Sequence, residues 1–282
     1  MFRPLESLSP GQALQLEQLR AQLAALPAAL VAYSGGVDST LVAAIAAEQL
    51  GERAVAVTGV SPALAPHLRR EAQLQAQWIG MRHRELDTAE LDDPAYSSNP
   101  SQRCFACKRE LHRLLGQLRQ EQPQAVVLDG VNHDDLGDHR PGIAAAQQAG
   151  VRSPLADIGI DKAGVRAISK ALGFPWWDKP AQPCLASRFP YGEPISATRL
   201  QRVAAAEAWL RQRGWPELRV RSQGDAARIE LPADQLDAAL RRWSDPEQRQ
   251  ALIGAFLAQG FTAVSVDLEG LVSGKLNRSL RS

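Results

Sequence analysis

The feature that most constrains the fold is an apolar segment that runs directly into a glycine-rich turn and then into a helix. Residues 28–34 read AALVAYS, Gly35 and Gly36 follow, and an alanine-rich helical pattern extends from Asp38 to Leu50. A parallel strand cannot be joined to its neighbour by a tight turn, so such sheets need a crossover helix after each strand. This segment therefore predicts the first strand and helix of an α/β fold.

The pattern repeats through the first half of the chain. Further strands are predicted at 54–60 (AVAVTGV), in the RHREL segment near 82–86, and at 125–130 (AVVLDG), with helices at about 67–81 and 107–120 between them. Strands that alternate with helices indicate a parallel sheet covered on both faces. The expected architecture is a doubly wound, mainly parallel sheet.

The pattern changes after a proline-rich stretch at 174–194, which is predicted to be an extended connection. Before it, two helices are expected between 142 and 173. Beyond it, a helix at 196–213, two strands joined by a Gly224-Asp225 turn, two more helices and a last strand predict a smaller α+β unit. We expect two domains, residues 1–186 and residues 187–282.

Composition narrows the functional class. The chain has 282 residues, 45% of them apolar, 22% charged residues without long blocks, and a net charge of +1. These values predict a globular protein and disfavour a dedicated nucleic-acid binder. No apolar run has the length of a membrane span or a secretion signal. Three cysteines do not suit a disulfide scaffold, so a reducing, cytoplasmic compartment is expected.

The glycine turn carries the strongest chemical signal. Backbone N–H groups and a helix N-terminus can surround an anion, and hydroxyls can donate further hydrogen bonds to phosphate. The candidate nucleotide-binding residues are Ser34, Gly35, Gly36, Asp38, Ser39 and Thr40. Asp38 is expected to place magnesium, and the alternative is an ordinary turn capped by Asp38. The motif lacks the Walker lysine. It resembles the PP-loop signature, which implies cleavage of ATP to AMP and pyrophosphate.

The cysteines allow several interpretations. Cys104 and Cys107 form a C-x-x-C where a helix is expected to begin, and Cys184 lies in the proline-rich stretch. Three thiolates could hold a 4Fe-4S cluster with one iron open to a non-protein ligand. A structural zinc site with His83 or His112 as the fourth ligand, a Cys104–Cys107 redox disulfide and inert cysteines remain alternatives.

The ordered motifs along nearly the whole chain resemble the LarE-type ATP-dependent sulfur transferases. The matching segments are SGGVDST, NPSQRCFACK, LDGVNHDDLGDHRPG, DKPAQPCLASRFPYGEPIS, LRVRSQGDAARIE and VDLEGLVSGKLNR. The resemblance implies adenylation of pyridinium-3,5-biscarboxylic acid mononucleotide and formation of a thiocarboxylate for the nickel-pincer cofactor of lactate racemase. Three cysteines resemble the cluster-dependent subgroup, with Cys184 as an iron ligand rather than a sacrificial sulfur donor. The family also implies that residues 1–186 bind ATP and carry out adenylation, and that residues 187–282 bind the substrate and form a homo-oligomer. The sulfide donor stays open.

Two arginines are candidates for substrate binding. Arg219 and Arg221 are two positions apart on a predicted strand, so both project from the face opposite Leu218 and Val220. Two guanidinium groups on one face suit a phosphate, and the resemblance assigns them that role. A solvated strand face is the alternative.

Further candidates flank these features. Ser187 and Arg188 are predicted to bind substrate oxygens or to position the cysteine loop, against the alternative of a polar turn. By resemblance, Glu207 faces the substrate. Asp129 follows a buried strand, where doubly wound folds bind ligands. Other polar residues that could serve the nucleotide are Asn132, Asp135, Lys162 and Lys179.

The leading function is ATP-dependent sulfur transfer to a small nucleotide. Alternatives are a PP-loop tRNA thiolation enzyme, an amidating synthetase of the GMP or NAD synthetase kind, and a non-catalytic ATP-binding scaffold. The near-neutral charge argues against tRNA. An amidating synthetase would not need the cysteines.

Overall fold

The computed structural model describes residues 2–137, 141–272 and 274–280, so the segments LDGVNHDDLGDHRPG and VDLEGLVSGKLNR each extend in part outside the described residues. The chain forms two compact units. The first comprises the described residues up to Glu90 and Gln102–Gln182, and the second Leu91–Ser101 and the described residues from Pro183 onwards. The functional division at 186/187 stays a prediction, whereas the contacts divide the chain four residues earlier.

The first unit contains a four-stranded sheet. Its elements are α1 (Pro10–Ala24), β1 (Ala28–Ala32), α2 (Val37–Leu50), β2 (Ala54–Val60), α3 (Pro66–Ile79) and β3 (Arg82–Asp87). After the short α4 (Pro94–Ser97) of the second unit, it continues with α5 (Arg103–Glu121), β4 (Ala125–Leu128), α6 (Pro141–Gln148), α7 (Pro154–Ile158) and α8 (Lys162–Ala171).

The sheet order is β3-β2-β1-β4, and every pairing is parallel. The α/β fold class and the strands expected near these positions are confirmed. Because the chain leaves β1 toward β2 on one side and β4 lies on the other, the strand order reverses between β1 and β4. Doubly wound folds bind ligands at the carboxyl ends of strands beside such a switch point.

The sheet is buried on both faces, which explains its nearly continuous apolar strands. One face packs on a cluster to which α1, α2 and α8 contribute Leu19, Ile45 and Ile168, all fully buried. The other face packs against Leu115 and Leu118 of α5. This core fixes the carboxyl edge of the sheet, where the candidate site lies.

The second unit is the predicted α+β arrangement. Its further elements are α9 (Ala197–Arg211), β5 (Arg219–Gln223), β6 (Ala226–Glu230), α10 (Leu236–Ser244), α11 (Pro246–Ala258) and β7 (Ala263–Val266). Ser196 caps α9 by accepting a hydrogen bond from the Arg199 N–H, as predicted. Strands β5 and β6 are antiparallel about Gly224 (φ 56°), and β7 is parallel to β6.

The structure corrects three local predictions. Three helices, not two, lie between 141 and 171, because Gly150 and Gly159 at positive φ end the first two. Helix α5 begins at Arg103, earlier than expected, so both of its cysteines lie inside it. The proline-rich connection contains a 3-10 turn at Leu185–Arg188.

A segment distant in sequence joins the second unit through main-chain hydrogen bonds. Gly192 N donates to Asn99 O at 2.9 Å and Ile195 N donates to Ser97 O at 2.7 Å. Such pairings are non-local, and the residues between 91 and 101 carry no periodic apolar pattern that would reveal them.

The described part of the chain contains no helix with the length and apolar character that a membrane span requires.

Candidate active site

The turn after β1 adopts a conformation that requires glycine. Gly35 has φ 69°, and a Cβ there would lie 3.0 Å from the Ala72 Cβ on α3. Gly36 caps α2 without a side-chain hydrogen bond. Two consecutive glycines, which carry no side chains, at the N-terminus of a 14-residue helix give the anion-binding geometry that the sequence indicated.

The hydroxyl groups of the turn have different environments. Ser34 Oγ and Ser39 Oγ are 3.1 Å apart, and Ser34 Oγ accepts from Gly36 N. Thr40 is fully buried, and its hydroxyl donates to Gln75 Oε1 at 3.2 Å. Ser34 and Ser39 therefore remain at the turn, whereas Thr40 fixes α2 to α3; its predicted contact with phosphate stays a prediction.

Asp38 connects the turn with the segment after β4 and with the start of α8. Its carboxylate accepts from Asn132 Nδ2 at 3.0 Å and forms an ion pair with Lys162 Nζ at 2.5 Å. Lys162 is the first residue of α8, and Asn132 follows β4. The structure thus brings Asp38 together with Asn132 and Lys162, which lie 94 and 124 positions away in the sequence. A carboxylate beside a lysine at a phosphate loop can exchange partners when magnesium and phosphate arrive.

The loop after β4 closes onto the start of α2. A Cβ on Gly130 would lie 2.5 Å from Ser39 N and 2.7 Å from Ser39 Cα. Asp129 beside it is buried, and burial raises the pKa of its carboxyl against the opposing effects of Ser153, the Val131 N–H and Lys108. Only a residue without a side chain at 130 allows this approach, a requirement that sequence reasoning missed although the strand-Asp-Gly pattern signals it.

Lys179 lies on the other side of the turn. Its ammonium donates to Gly35 O at 3.0 Å and pairs with Glu71 at 2.6 Å. Together with Lys162, it places two lysines at the turn that can neutralise phosphate charge. Their nucleotide contacts stay predictions.

The C-x-x-C cysteines occupy one turn of α5. Cys104 is exposed and Cys107 is half-buried. The two cysteines lie on the same face of the helix because they are three positions apart. Within either unit, the described residues hold no group of three His, Cys, Asp or Glu side chains suited to a metal ion. Cys184, in the second unit, is exposed.

His112 lies lower on the same helix and is buried. Its two ring nitrogens find no hydrogen-bond partner among the described residues. Burial, with a smaller contribution from Lys108, lowers its pKa from 6.5 to about 4. A zinc site with His112 therefore finds no support from neighbouring ligands among the described residues of this unit.

The lowered pKa of His112 makes stability depend on pH. The unfolded chain takes up the proton first, so this contribution is complete above pH 6.5 and is lost as the pH falls toward about 4. We expect His112→Leu to reduce the change in the free energy of unfolding, measured with urea, between pH 7 and pH 5. His133→Gln, at an exposed histidine of the same unit, is the control. An unchanged slope in His112→Leu would contradict the assignment.

In the second unit, Arg188 encloses the main chain around Cys184. Arg188 Nη1 donates to Pro183 O and Ser187 Oγ, both at 2.9 Å, and lies 3.4 Å from Cys184 O. Its Nε and Nη2 donate to Glu207 at 2.8 and 3.2 Å. Arg188 is 5% exposed, so in this state it positions the cysteine loop, and direct binding of substrate oxygens stays a prediction.

Glu207 is fully buried in α9. Burial alone would raise the pKa of its carboxyl, but Arg188 and Arg211 hold that pKa below the ordinary value. Its predicted position facing the substrate stays a prediction, with both oxygens occupied by protein donors in this state.

The two strand arginines differ from each other. Arg221 is buried, pairs with the fully buried Glu230 at 2.8 Å and donates to Ser187 O at 2.6 Å. Arg219 is half-buried, and among the described residues no carboxylate lies within ion-pair distance of it. Burial and the charges of Arg221 and Arg188 lower the pKa of Arg219. Arg219 is thus the cation available to an anionic ligand, and Glu230 is an anchor that sequence reasoning missed.

A glycine-rich turn between β1 and α2, at the switch point of a parallel sheet, defines an α/β protein of the PP-loop class. The chain is 35% identical over 93% of its length, and 93% of the relative's, to pyridinium-3,5-bisthiocarboxylic acid mononucleotide synthase of Lactiplantibacillus plantarum. The chain belongs to the family of this synthase.

Other relatives extend the same match. The chain is 53% identical to an uncharacterized protein of Synechocystis sp., over 94% of this chain and 98% of that one. It is 28% identical to an uncharacterized protein of Methanocaldococcus jannaschii, over 85% and 89% of the two chains. No family model matches the chain.

Proposed function

We propose that this chain is an ATP-dependent sulfur transferase. It adenylates a carboxylate of pyridinium-3,5-biscarboxylic acid mononucleotide and converts it to a thiocarboxylate, a step toward the nickel-pincer cofactor that serves lactate racemase. The observation that carries this proposal is the 35% identity, over 93% of both chains, to a synthase of the bisthiocarboxylic acid mononucleotide. The PP-loop turn and the loop around Cys184, which Arg188 holds by hydrogen bonds, support the same proposal.

In the first half-reaction, a substrate carboxylate oxygen attacks the α-phosphorus of ATP and pyrophosphate leaves. The N–H groups at Gly35 and Gly36, the N-terminus of α2 and the hydroxyls of Ser34 and Ser39 stabilise the charge that develops on pyrophosphate. Asp38 would hold magnesium, and Lys162, which pairs with Asp38 in this structure, would bind phosphate oxygens.

In the second half-reaction, sulfide attacks the acyl carbon and AMP leaves with its oxygen. Arg219 binds the substrate phosphate because it carries a buried charge without a carboxylate partner among the described residues. Cys104 and Cys107, one helical turn apart, would hold a 4Fe-4S cluster together with Cys184. Such a cluster supplies an iron that is open to an added sulfide.

The test is anaerobic purification with iron and acid-labile sulfide analysis, followed by a single turnover with substrate, magnesium and ATP. We expect about four irons per chain, with AMP, pyrophosphate and thiocarboxylate formed in equal amounts. Absence of pyrophosphate release with the dicarboxylate would overturn adenylation. Iron-free protein that forms product while Cys184 becomes dehydroalanine would overturn the cluster and leave the sulfur transferase.

A further inference from the structure

The strongest unexplained feature outside the phosphate loop is a glutamate whose side chain has no exposed surface in this structure. Glu207 is 0% exposed, and its two oxygens accept four hydrogen bonds. The donors are Arg188 Nε at 2.8 Å, Arg188 Nη2 at 3.2 Å, Arg211 Nη2 at 3.0 Å and Val220 N at 3.1 Å. Because protein donors occupy its acceptor sites, this carboxylate is expected to affect the structure through the groups that donate to it.

The principal donor, Arg188, transmits this constraint to the main chain around Cys184. While Nε and Nη2 face Glu207, Nη1 turns to the Pro183 carbonyl and the Ser187 hydroxyl. Ser187 N also donates to Cys184 O at 3.0 Å, which closes the 3-10 turn that follows the cysteine. The direction of the guanidinium plane therefore fixes the turn on both sides of Cys184.

Stability alone gives no reason for such a pair. Two charges removed from water are seldom more stabilising than apolar side chains of similar volume, although breaking one partner is costly. Arg188 and Glu207 are 5% and 0% exposed in their side chains. The guanidinium group is planar and its donor directions are fixed. It can therefore orient the carbonyls of Pro183 and Cys184, which an apolar pair cannot do.

We propose that Glu207 is a positioning residue that acts through Arg188 to set the direction in which Cys184 presents its thiol. The consequence for sulfur delivery rests on the proposed function, whereas the effect on the loop does not. Arg221 and Glu230 form a second clamp on the same turn, through Ser187 O. The two clamps reach different carbonyls, so Glu207 governs the amino-terminal part of the turn and Glu230 its carboxyl-terminal end.

The test compares Glu207→Gln with the exposed control Glu247→Gln in the same unit. Hydrogen exchange of the peptide 183–189 is expected to accelerate at least about tenfold in Glu207→Gln, because a buried charge pair is broken. In protein freed of metal with a chelator, alkylation mapped by peptide mass spectrometry should change in rate at Cys184 only. Cys104 and Cys107 in the same sample are internal controls.

A second variant separates positioning from folding. Arg188→Met combined with Glu207→Leu removes both charges and retains apolar volume, so the unfolding free energy is expected to recover. The loop is expected to stay mobile and alkylation at Cys184 to stay altered. If the double variant restores slow exchange and wild-type alkylation, the pair is only structural and the proposal is overturned.

Kinetics supply the readout that distinguishes this inference from the proposed function. In both variants, pyrophosphate release should keep the KM for ATP while the rate of thiocarboxylate formation falls at least about tenfold, since Cys184 is misplaced, whether it acts as an iron ligand or as a sulfur donor. Equal losses in both half-reactions would overturn the positioning role. If the loop responds as expected but wild-type protein forms no thiocarboxylate, the proposed function fails and the positioning of Cys184 stands.

Discussion

Replacing Cys184 with serine is expected to abolish thiocarboxylate formation, by about a thousandfold or more, while pyrophosphate release persists. Serine keeps the size of the side chain but offers no thiolate, either as an iron ligand or as a source of sulfur. The PP-loop turn belongs to the first unit and Cys184 to the second, so adenylation should survive. The measurement is a single turnover in which AMP and thiocarboxylate are quantified together.

Serine at the other two cysteines makes this result specific. If a cluster delivers the sulfide, Cys104→Ser and Cys107→Ser should each lose iron and thiocarboxylate formation to a similar degree. Loss confined to Cys184→Ser would identify that residue as the sulfur donor. Full activity of Cys184→Ser would contradict every version of the sulfur-transfer proposal that uses this cysteine.

Gly130→Ala is expected to have the second largest effect. The added methyl would stand 2.5 Å from Ser39 N and 3.0 Å from the Asp38 carbonyl carbon, and both are main-chain atoms that cannot rotate away. Separating the loop after β4 from the start of α2 costs about 3 kcal/mol of folding free energy. A displacement near 1 Å of the turn should lower the rate of pyrophosphate release by about a hundredfold.

Gly116→Ala is the matched control for this substitution. Gly116 lies exposed inside α5 of the same unit, and a Cβ there would meet no atom within 4 Å. Alanine should stabilise the helix by about 1 kcal/mol and leave activity unchanged. Urea unfolding and pyrophosphate release, measured on both variants, check the pair. A Gly130→Ala variant with wild-type behaviour in both assays would show that the loops do not need this close approach.

The sequence allowed most of the fold to be predicted because its elements carry local signals. The apolar runs at β1, β2 and β4, the glycines that end helices, and the Ser196 cap all act within a few residues of where they stand. The start of α5 and the short helix α7 (Pro154–Ile158) were missed, because neither begins at a residue whose side chain makes a capping hydrogen bond.

The candidate site could be predicted only in part, for the same physical reason. A phosphate-binding turn is a local conformation, so SGGVDST alone indicates its strand, its glycines and the helix N-terminus behind it. Partners that are distant in the chain leave no such trace. The pairing of Asp38 with Lys162, and the buried partner of Thr40, became visible only in the structure.

The amino-acid sequence by itself determined the parallel α/β unit, the α+β unit and the residues with chemical potential: the turn, the cysteines and the strand arginines. Only the tertiary structure decided which arginine has its charge already matched. Arg188 and Arg221 pair with buried glutamates, whereas Arg219 has no such partner in the part of the chain that the structure describes. Spacing along a strand shows which side chains share a face, but burial and ion pairing depend on groups that other elements bring to that face.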